Sequence, residues 1–203
     1  MIKIFKIPGF VRFFLPNRTW SFSINSKAIY LTFDDGPQSE VTPWVLDLLA
    51  SEKIHATFFC LGENVKSNPE LIERILKEGH AIGNHSMEHV VYSRNHKEDY
   101  FQSILEAGKF IPSKLYRPPY GKLSGMMAKR ISKDYQIIMW SWMAYDFDYS
   151  VTIEKIIKKT RNIKSGDILV FHDNFKSEKR LKILLPQIIE ILKKSGFEFK
   201  IIS

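Results

Sequence analysis

A chain of 203 residues, 44% hydrophobic and 13% aromatic, can bury a sizeable core and is typical of one globular domain, which excludes a disordered protein. Its formal net charge of +8 favours acidic surroundings such as a cell wall, a phospholipid surface or a nucleic acid. The basic residues are scattered through amphipathic segments without a recognisable nucleic-acid motif, so we interpret them as a solvated surface and expect no nucleic-acid partner. The single cysteine, Cys60, excludes an internal disulfide.

Residues 1–27 are predicted to form an arm that packs on the domain formed by residues 28–203. Basic residues among apolar ones give this arm the look of a signal peptide, but Pro8, Gly9 and Arg12 interrupt it and no small-residue cleavage site follows. No apolar run reaches the roughly 18 residues that span a bilayer, and shallow membrane contact by the arm is the alternative. We expect a monomer that is cytoplasmic by default, with the cell envelope as the alternative location.

The run AIYLTFDDGP begins the domain and contains its most informative residues. Its apolar first half, rich in β-branched and aromatic side chains, is typical of a buried parallel strand. Asp34 and Asp35 stand where this strand ends, and Gly36 and Pro37 turn the chain. Two adjacent carboxylates at a strand end require a cation, an arginine or water to separate their charges. The rest of the chain must supply these partners.

Amphipathic helices and apolar strands alternate along the rest of the chain without repeats or linkers. Helices are predicted over 41–51, 69–79, 97–110, 123–133, 152–159 and 181–194. Strands are predicted over 28–33, 56–60, 80–83, 115–116, 136–142, 168–171 and 198–202. This alternation predicts a parallel α/β fold, either an open doubly wound sheet or a barrel of repeated β/α units.

Polar residues favour the barrel, because they follow the carboxyl ends of five different predicted strands. In a closed parallel barrel these ends lie on one face, where such folds build their active sites. The residues are Asp34 with Asp35, His85 with His89, Arg117, Asp146 and His172.

His85 and His89 have H-x-x-x-H spacing, which on a helical turn places both imidazoles on one face. Asp35 can add a third, anionic ligand. Two histidines and one carboxylate leave positions open for water and substrate, as in a catalytic rather than a structural divalent metal site. The alternative is a pair of surface histidines without a metal. The strand-end pattern favours the metal site.

Candidate acid–base groups stand on the same predicted face. Asp34, beside the metal but not bound to it, is the candidate general base, and Arg117 can keep it ionised and oriented. His172 is the candidate general acid, and a hydrogen bond from its ring to Asp146 would raise its pKa. The backbone N–H of Tyr120 is a candidate oxyanion donor.

Aromatic residues lie between residues 140 and 147, close to Asp146 in sequence. Trp140, Trp142 and Phe147 belong to types that usually fill a core, but Trp142 and Phe147 are also candidates to line a sugar-binding opening. The other histidines are expected on the surface or in structural roles, namely His55, His80 and His96.

Five motifs, in this order from about residue 28 to the C-terminus, carry a family resemblance. They are T-F-D-D-G-P, H-S-M-E-H, R-P-P-Y-G, the Asp146–Phe147 pair and L-V-F-H-D. The sequence resembles the polysaccharide deacetylases, the NodB-homology or carbohydrate esterase family 4 group. The first three motifs are highly specific together, and the last two are looser.

The resemblance implies a single-domain, distorted (β/α)7-type barrel that is NodB-like and removes acetyl groups from N-acetylglucosamine-containing glycans, either peptidoglycan or chitin-like oligosaccharides. It implies a divalent metal, Zn²⁺ first, with Co²⁺ or another transition metal as the alternative. By motif position the implied roles are base for Asp34, metal ligands for Asp35, His85 and His89, partner of the base for Arg117, acid for His172, and acetyl pocket for Val170 and Phe147. The chain departs from the family at Met143 and Phe147, where the fourth motif often has Asp and Trp.

Two other functions stay open at this stage. The same groups would also serve a deacylase of another saccharide, either an O-acetyl ester or a lipid-linked sugar, which the basic, aromatic arm favours. A glycan-binding module without turnover is the alternative from a different class, although intact acid and base positions argue against it.

Overall fold

The structure is a computed structural model that describes residues 3–23 and 25–203. In these ranges the strands are β1 Ala28–Asp34, β2 Thr57–Cys60, β3 Ala81–Asn84, β4 Leu115–Tyr116, β5 Gln136–Ile137, β6 Trp142–Met143, β7 Ile168–His172 and β8 Glu198–Phe199. The α-helices are α1 Val11–Phe14, α2 Val41–Glu52, α3 Gly62–Ser67, α4 Pro69–Lys77, α5 Lys97–Gly108, α6 Gly125–Ile131, α7 Ile153–Lys159 and α8 Glu178–Lys194.

Strand β1 lies at the centre of the sheet. The strand order is β5-β4-β3-β2-β1-β7-β6, neighbouring strands are parallel, and β8 pairs with the start of β1. All seven residues of β1 are buried, because helices cover one face of the sheet and side chains fill the other. This burial on both faces explains why β1 reads as a continuous apolar run.

The short segment between β5 and β6 runs from one edge of this strand path to the other, and it hydrogen-bonds to the strand next to each edge. The N–H of Ile138 donates to Tyr116 O at 2.8 Å on the β4 side, and the N–H of Ser141 donates to Ile168 O at 3.0 Å on the β7 side. The sheet therefore curves into a half-barrel, which confirms the predicted distorted β/α barrel in one domain. The single strand predicted over 136–142 is wrong, since it consists of two short strands at opposite edges.

The six predicted helices are confirmed, and two short helices, α1 and α3, were not predicted. Helix α3 was not predicted because its six residues bury only one apolar side chain, Val65, and so lack a clear helical period. It begins at Gly62, where a Cβ atom would lie 3.1 Å from the Cα of Ala107. Glycine at this position therefore favours the close approach of α3 to α5.

The N-terminal arm contacts the sheet along the β5–β6 segment. Lys6 bridges to Trp142 and Thr19 bridges to Ile138, while the ring of Phe5 is buried against Trp142 and Tyr145. Residues 1, 2 and 24 of the predicted arm lie outside the described residues, and its boundary at 27 stays a prediction. Among the helices that the structure describes, none combines the length and the apolar character needed to cross a bilayer.

His80 makes the stability of this fold dependent on acid. It is buried, and its Nδ1 accepts a hydrogen bond from the N–H of Ala56 at 3.2 Å. Burial, together with the nearby charge of His55, lowers the pKa of His80 to about 4. Because the unfolded chain takes up this proton near pH 6.5, the contribution of His80 to stability is full above pH 6.5 and is lost as the pH falls towards 4.

Asparagine in His80→Asn keeps an acceptor for the Ala56 N–H but does not titrate. Between pH 6.5 and 4 we therefore expect this variant to lose about 2 kcal/mol less unfolding free energy than the wild type loses. Urea unfolding of the metal-free protein at several pH values measures this. The exposed histidine variant His96→Asn is the control and should follow the wild type. A His80→Asn profile as steep as that of the wild type would contradict the assignment.

Candidate active site

A pocket of about 520 Å³ opens at the carboxyl ends of the central strands. Asp34 ends β1, His85 follows β3 and His172 ends β7, so the parallel strands bring these side chains to one face. Predicted site residues that line the pocket are Asp34, Asp35, His85, His89, Tyr120, Phe147, Val170 and His172. Arg117 and Asp146 are fully buried behind it.

Asp35, His85 and His89 form a cluster with the geometry of a metal site. Asp35 Oδ1 lies 3.5 Å from His85 Nε2 and 3.2 Å from His89 Nε2, and the three ligand atoms lie within 4.8 Å of one another. Among the described residues this buried oxygen has no hydrogen-bond partner. An unpartnered anionic oxygen facing two imidazole nitrogens fits a divalent cation.

The tautomer of His85 is fixed by its second ring nitrogen. Nδ1–H donates to the carbonyl oxygen of Arg117 at 2.8 Å, so Nε2 keeps its lone pair for a metal. Burial alone would raise the pKa of Asp35, but the nearby imidazoles of His85, His172 and His89 outweigh it, so this pKa is lowered. Asp35 is therefore an anion at neutral pH.

The helical turn expected for the H-x-x-x-H segment is wrong. The chain after β3 is a loop in which Ser86 and His89 have left-handed backbones, with φ of 69° and 50°. The side chain of Asn84 holds this loop, because its Oδ1 accepts from the N–H of Ser86 at 2.7 Å and its amide donates to Ile104 O at 2.9 Å. The loop still places the His85 and His89 rings 5.1 Å apart.

Two asparagines that the sequence reasoning missed hold Asp35. Asn64 donates to the backbone oxygen of Asp35, and Asn174 donates to its Oδ2, each at 2.7 Å. With Oδ2 occupied by Asn174, Oδ1 is the carboxylate oxygen left to face the histidines. Asn174 also accepts from the N–H of Ser177 at 2.9 Å, just before α8. Its place one residue past the L-V-F-H-D motif was the available signal.

We expect Asn174→Ser to weaken metal binding by about tenfold, because serine still accepts from the Ser177 N–H but cannot reach Asp35. Competition with a chelator for Zn²⁺ and Co²⁺ measures the affinity. The exposed variant Asn95→Ser is the control and should bind as the wild type does. Unchanged affinity together with a lower melting temperature would reduce Asn174 to a helix-capping residue.

Arg117 pairs with Asp34 inside the barrel. Its NH1 group donates to Asp34 Oδ1 at 2.6 Å and to Thr32 Oγ1 at 2.7 Å. The rest of the guanidinium donates to backbone oxygens of Ile138 and Met139 at 3.3 and 3.1 Å. Burial lowers the pKa of Arg117, but an arginine pKa starts so high that the group stays charged. Asp34 thus has a fixed cationic partner that is separate from the metal cluster.

Asp146 fixes both ends of His172. It accepts from the His172 backbone N–H at 2.7 Å and from ring Nδ1–H at 2.8 Å. Burial alone would lower the pKa of His172, but the charge and hydrogen bond of Asp146, with smaller contributions from Asp35 and Asp34, raise it to about 9. The His172 ring is therefore protonated at neutral pH and can donate a proton from Nε2.

Asp173, the last residue of the L-V-F-H-D motif, connects the turn after β1 to helix α2. Its carboxyl group accepts from the Gly36 N–H at 3.0 Å and bonds the Thr42 hydroxyl at 2.6 Å. A Cβ atom at position 36 would overlap this carboxyl group, so only glycine fits. Burial raises the pKa of Asp173 to about 8.

The prediction that Trp142 contacts substrate is wrong. Trp142 is fully buried, its ring packs on Phe5, and its Nε1–H donates to Lys159 O at 3.3 Å. Trp140 lines the pocket instead, because it lies in the irregular segment between β5 and β6 and not in a strand. It packs so closely on Gly121 that a Cβ there would lie 2.6 Å from the ring.

The remaining pocket residues surround the metal cluster. Tyr120 has a left-handed backbone with φ 57°, and its exposed ring lies 4.5 Å from that of His89. The Phe147 ring meets the His172 ring edge-on at 4.8 Å. Lys122 and Lys176 also line the pocket, and composition alone gave no signal for either lysine.

Comparisons with known proteins identify the family of this chain. A model of the polysaccharide deacetylase family matches residues 23–136. A peptidoglycan-N-acetylglucosamine deacetylase of Bacillus cereus is 39% identical over 193 residues, with 91% of each chain covered. A chitooligosaccharide deacetylase of Bradyrhizobium sp. is 29% identical over 208 residues, covering 93% of this chain and 95% of the relative.

Solved structures give the same result. The crystal structure of a peptidoglycan N-acetylglucosamine deacetylase in complex with 4-naphthalen-1-yl-N-oxidanyl-benzamide matches with a TM-score of 0.81 at 29% identity, covering 92% of this chain and 91% of that one. The half-barrel, the ordered motifs and these similarities lead to one conclusion. This chain belongs to the polysaccharide deacetylase family, the NodB-homology group of carbohydrate esterase family 4.

Proposed function

We propose that this protein removes N-acetyl groups from an N-acetylglucosamine-containing glycan with the help of a divalent metal. One observation carries the proposal. A base paired with arginine and an acid paired with aspartate line the same pocket as a three-ligand metal cluster. Amide hydrolysis needs both proton transfers, one from the attacking water and one to the leaving amine. The arrangement supplies a separate group for each.

Asp35, His85 and His89 are the residues that would hold the metal. When bound there, a divalent cation supplies Lewis acidity that polarises the acetyl carbonyl and lowers the pKa of water. Two imidazoles and one carboxylate favour Zn²⁺, with Co²⁺ or another transition metal as the alternative. The backbone carbonyl oxygen of Arg117 accepts a hydrogen bond from the His85 ring and so orients this ligand.

Asp34 takes the proton of the attacking water. Arg117 holds one of its oxygens at 2.6 Å, which orients the carboxylate. As the C–O bond forms and the C–N bond breaks, His172 delivers its Nε2 proton to the leaving nitrogen. The products are acetate and the free amino sugar, and Asp146 keeps the His172 ring in place for the transfer.

The carbonyl oxygen and the acetyl methyl group need their own contacts. Among the described residues the Tyr120 N–H has no hydrogen-bond acceptor, and it is our candidate donor to the developing oxyanion. Phe147 and Val170 line the pocket beside His172 and would contact the methyl group. Met143 lines the pocket as well, so the acetyl site is more apolar than in relatives with Asp at that place.

Two lysines favour an acidic glycan. Lys122 and Lys176 line the pocket, and within the described part of the chain neither lies within 4.0 Å of a carboxylate. Asp34 and Asp146 already have cationic partners in Arg117 and His172, and Asp35 faces His85 and His89 in the metal cluster. An anionic glycan such as peptidoglycan, which carries carboxylates on its peptide stems or on muramic acid residues that lack a stem, therefore fits better than neutral chitin oligosaccharides.

Acetate release from muramic-acid-containing peptidoglycan fragments, chitotriose and an O-acetylated sugar, with and without chelator, tests the function. We expect chelator-sensitive release that is faster on the peptidoglycan fragment. Absence of release from all three would contradict the deacetylase function, and faster release from the O-acetyl sugar would favour the ester alternative. The pair Lys122→Gln and Lys176→Gln, with Lys158→Gln as control, should reduce only the preference for the acidic fragment.

We further propose that the enzyme is a monomer. A peptidoglycan substrate favours the cell envelope over the cytoplasmic location expected from the sequence. Sedimentation velocity of the purified protein measures the oligomeric state, and fractionation of cells that express the full-length protein measures the location.

A further inference from the structure

Three phenylalanines form an exposed aromatic face at the N-terminal arm. Phe10, Phe13 and Phe14 are 67%, 85% and 72% exposed, and the rings of Phe13 and Phe14 contact each other edge-on at 5.6 Å. Their i, i+3, i+4 spacing places them on one side of helix α1. Exposed aromatic side chains in a contiguous group mark an interaction surface rather than ordinary scatter. We call Phe10, Phe13 and Phe14 the aromatic face.

The opposite side of α1 is anchored to the domain. Val11 and Leu15 pack against the hydrophobic cluster that contains Met127 of helix α6. Arg18 closes the end of this turn, because its guanidinium donates to backbone oxygens of Pro16 and Leu123 at 3.0 and 2.9 Å. The aromatic face is therefore presented outward by a docked helix. It is not the exposed half of a detached arm.

Two stretches of sequence that lie beside the aromatic face contain basic residues and no acidic ones. Residues 1–33 include five basic residues and no Asp or Glu, and residues 107–133, which contain α6, also have none. Lys3 and Lys6 are paired with Asp148 and Asp167, and Arg130 of α6 is paired with Glu98 of α5, but α6 adds the exposed residues Lys129 and Met126. Two acid-free segments pack on one cluster, and with Glu98 already paired to Arg130 this favours a net positive charge beside the exposed apolar side chains.

We infer that the aromatic face binds peripherally to an anionic phospholipid surface. Aromatic side chains that insert at the headgroup level, flanked by Lys and Arg, are the features of an interfacial helix. The positive charge of this side is complementary to anionic headgroups, which attract Lys and Arg close to the membrane. Trp140 lines the catalytic pocket and packs on the same cluster as α1. The helix that carries the aromatic face and the wall of the catalytic pocket are thus supported by one hydrophobic cluster.

Co-sedimentation with vesicles of phosphatidylcholine, with and without phosphatidylglycerol, tests the inference on the full chain. We expect the wild type to sediment with the anionic vesicles and to bind neutral ones about tenfold more weakly. The double variant Phe13→Ser/Phe14→Ser should bind anionic vesicles about tenfold more weakly than the wild type. Ile183→Ser, which removes an exposed apolar side chain on α8, is the matched control and should bind as the wild type does.

Three results would overturn the inference. The wild type could stay in the supernatant with both kinds of vesicle, or the double variant could sediment as well as the wild type. In the third, sedimentation velocity shows a wild-type dimer that the double variant loses, which makes the aromatic face a contact between two copies. Acetate release from a soluble substrate should be unchanged in the double variant, so a failed deacetylase assay does not bear on this surface.

Discussion

Asp34→Asn is expected to leave metal binding intact and to lower acetate release by about 10²-fold or more. Asparagine still accepts a hydrogen bond from Arg117, but it cannot take a proton from water. Because Asp34 bonds Arg117 and not the histidines, the metal cluster keeps all three of its ligands. Turnover of a glycan substrate and metal affinity from chelator competition, measured on the same protein, separate the two roles.

The neighbouring substitution should do the opposite. Asp35→Asn replaces the anionic Oδ1 that faces His85 and His89, so we expect metal affinity to fall by more than about 100-fold and activity to fall with it. Activity of Asp35→Asn should recover partly at high metal concentration, whereas that of Asp34→Asn should not. The exposed variant Asp99→Asn is the control for both. If Asp34→Asn and Asp35→Asn lose metal equally, the division of roles is wrong.

The backbone explains how two adjacent aspartates acquire such different partners. Asp34 is the last residue of β1, and its side chain turns into the barrel towards Arg117. Asp35 follows with a left-handed backbone, φ 80°, which directs its carboxylate to the other side, where His85 and His89 lie. Arg117 separates the charge of one carboxylate and a cation would separate that of the other. The backbone geometry thus gives each of the two adjacent carboxylates its own partner.

Strand ends made much of this site predictable. Parallel strands of a barrel place their carboxyl ends on one face, so polar residues directly after them converge whatever the intervening helices do. This reasoning brought Asp34, Asp35, His85, Arg117 and His172 together from sequence alone, and the structure places each of them in or behind the pocket. Their catalytic roles stay predictions until the variants are measured.

The errors have a common physical cause, which is irregular backbone. Hydrophobic period reports regular strands and helices, but it contains no information about a loop with two left-handed residues such as Ser86 and His89. For the same reason Trp142 rather than Trp140 was predicted to line the substrate opening. A continuous strand would place both side chains on one face, whereas the break between β5 and β6 separates them. Asn174 was missed because its role depends on a contact across 139 positions of sequence.

Asp146→Asn is expected to move the alkaline limit of activity down by about two pH units. Asp146 raises the pKa of His172 to about 9, and without its charge the burial of the ring, which lowers the pKa, becomes the dominant effect. The acid works in its protonated form, so activity is present below this pKa and is lost as the pH rises through it. At pH 8 the variant should therefore be about tenfold or more less active than at pH 6, whereas the wild type should change little.

The pH dependence of kcat/KM on a glycan substrate, with both proteins loaded with the same metal, measures this shift. Asp148→Asn, two residues further along and bonded to Lys3 rather than to His172, is the matched control and should keep the wild-type profile. His172→Ala should lower activity by about 10²-fold or more at every pH and abolish the alkaline limit. In Asp146→Asn, His172 loses the one anion that it hydrogen-bonds among the described residues, so its pKa cannot stay the same. If the alkaline limit of activity is unchanged in this variant, a group other than His172 sets that limit.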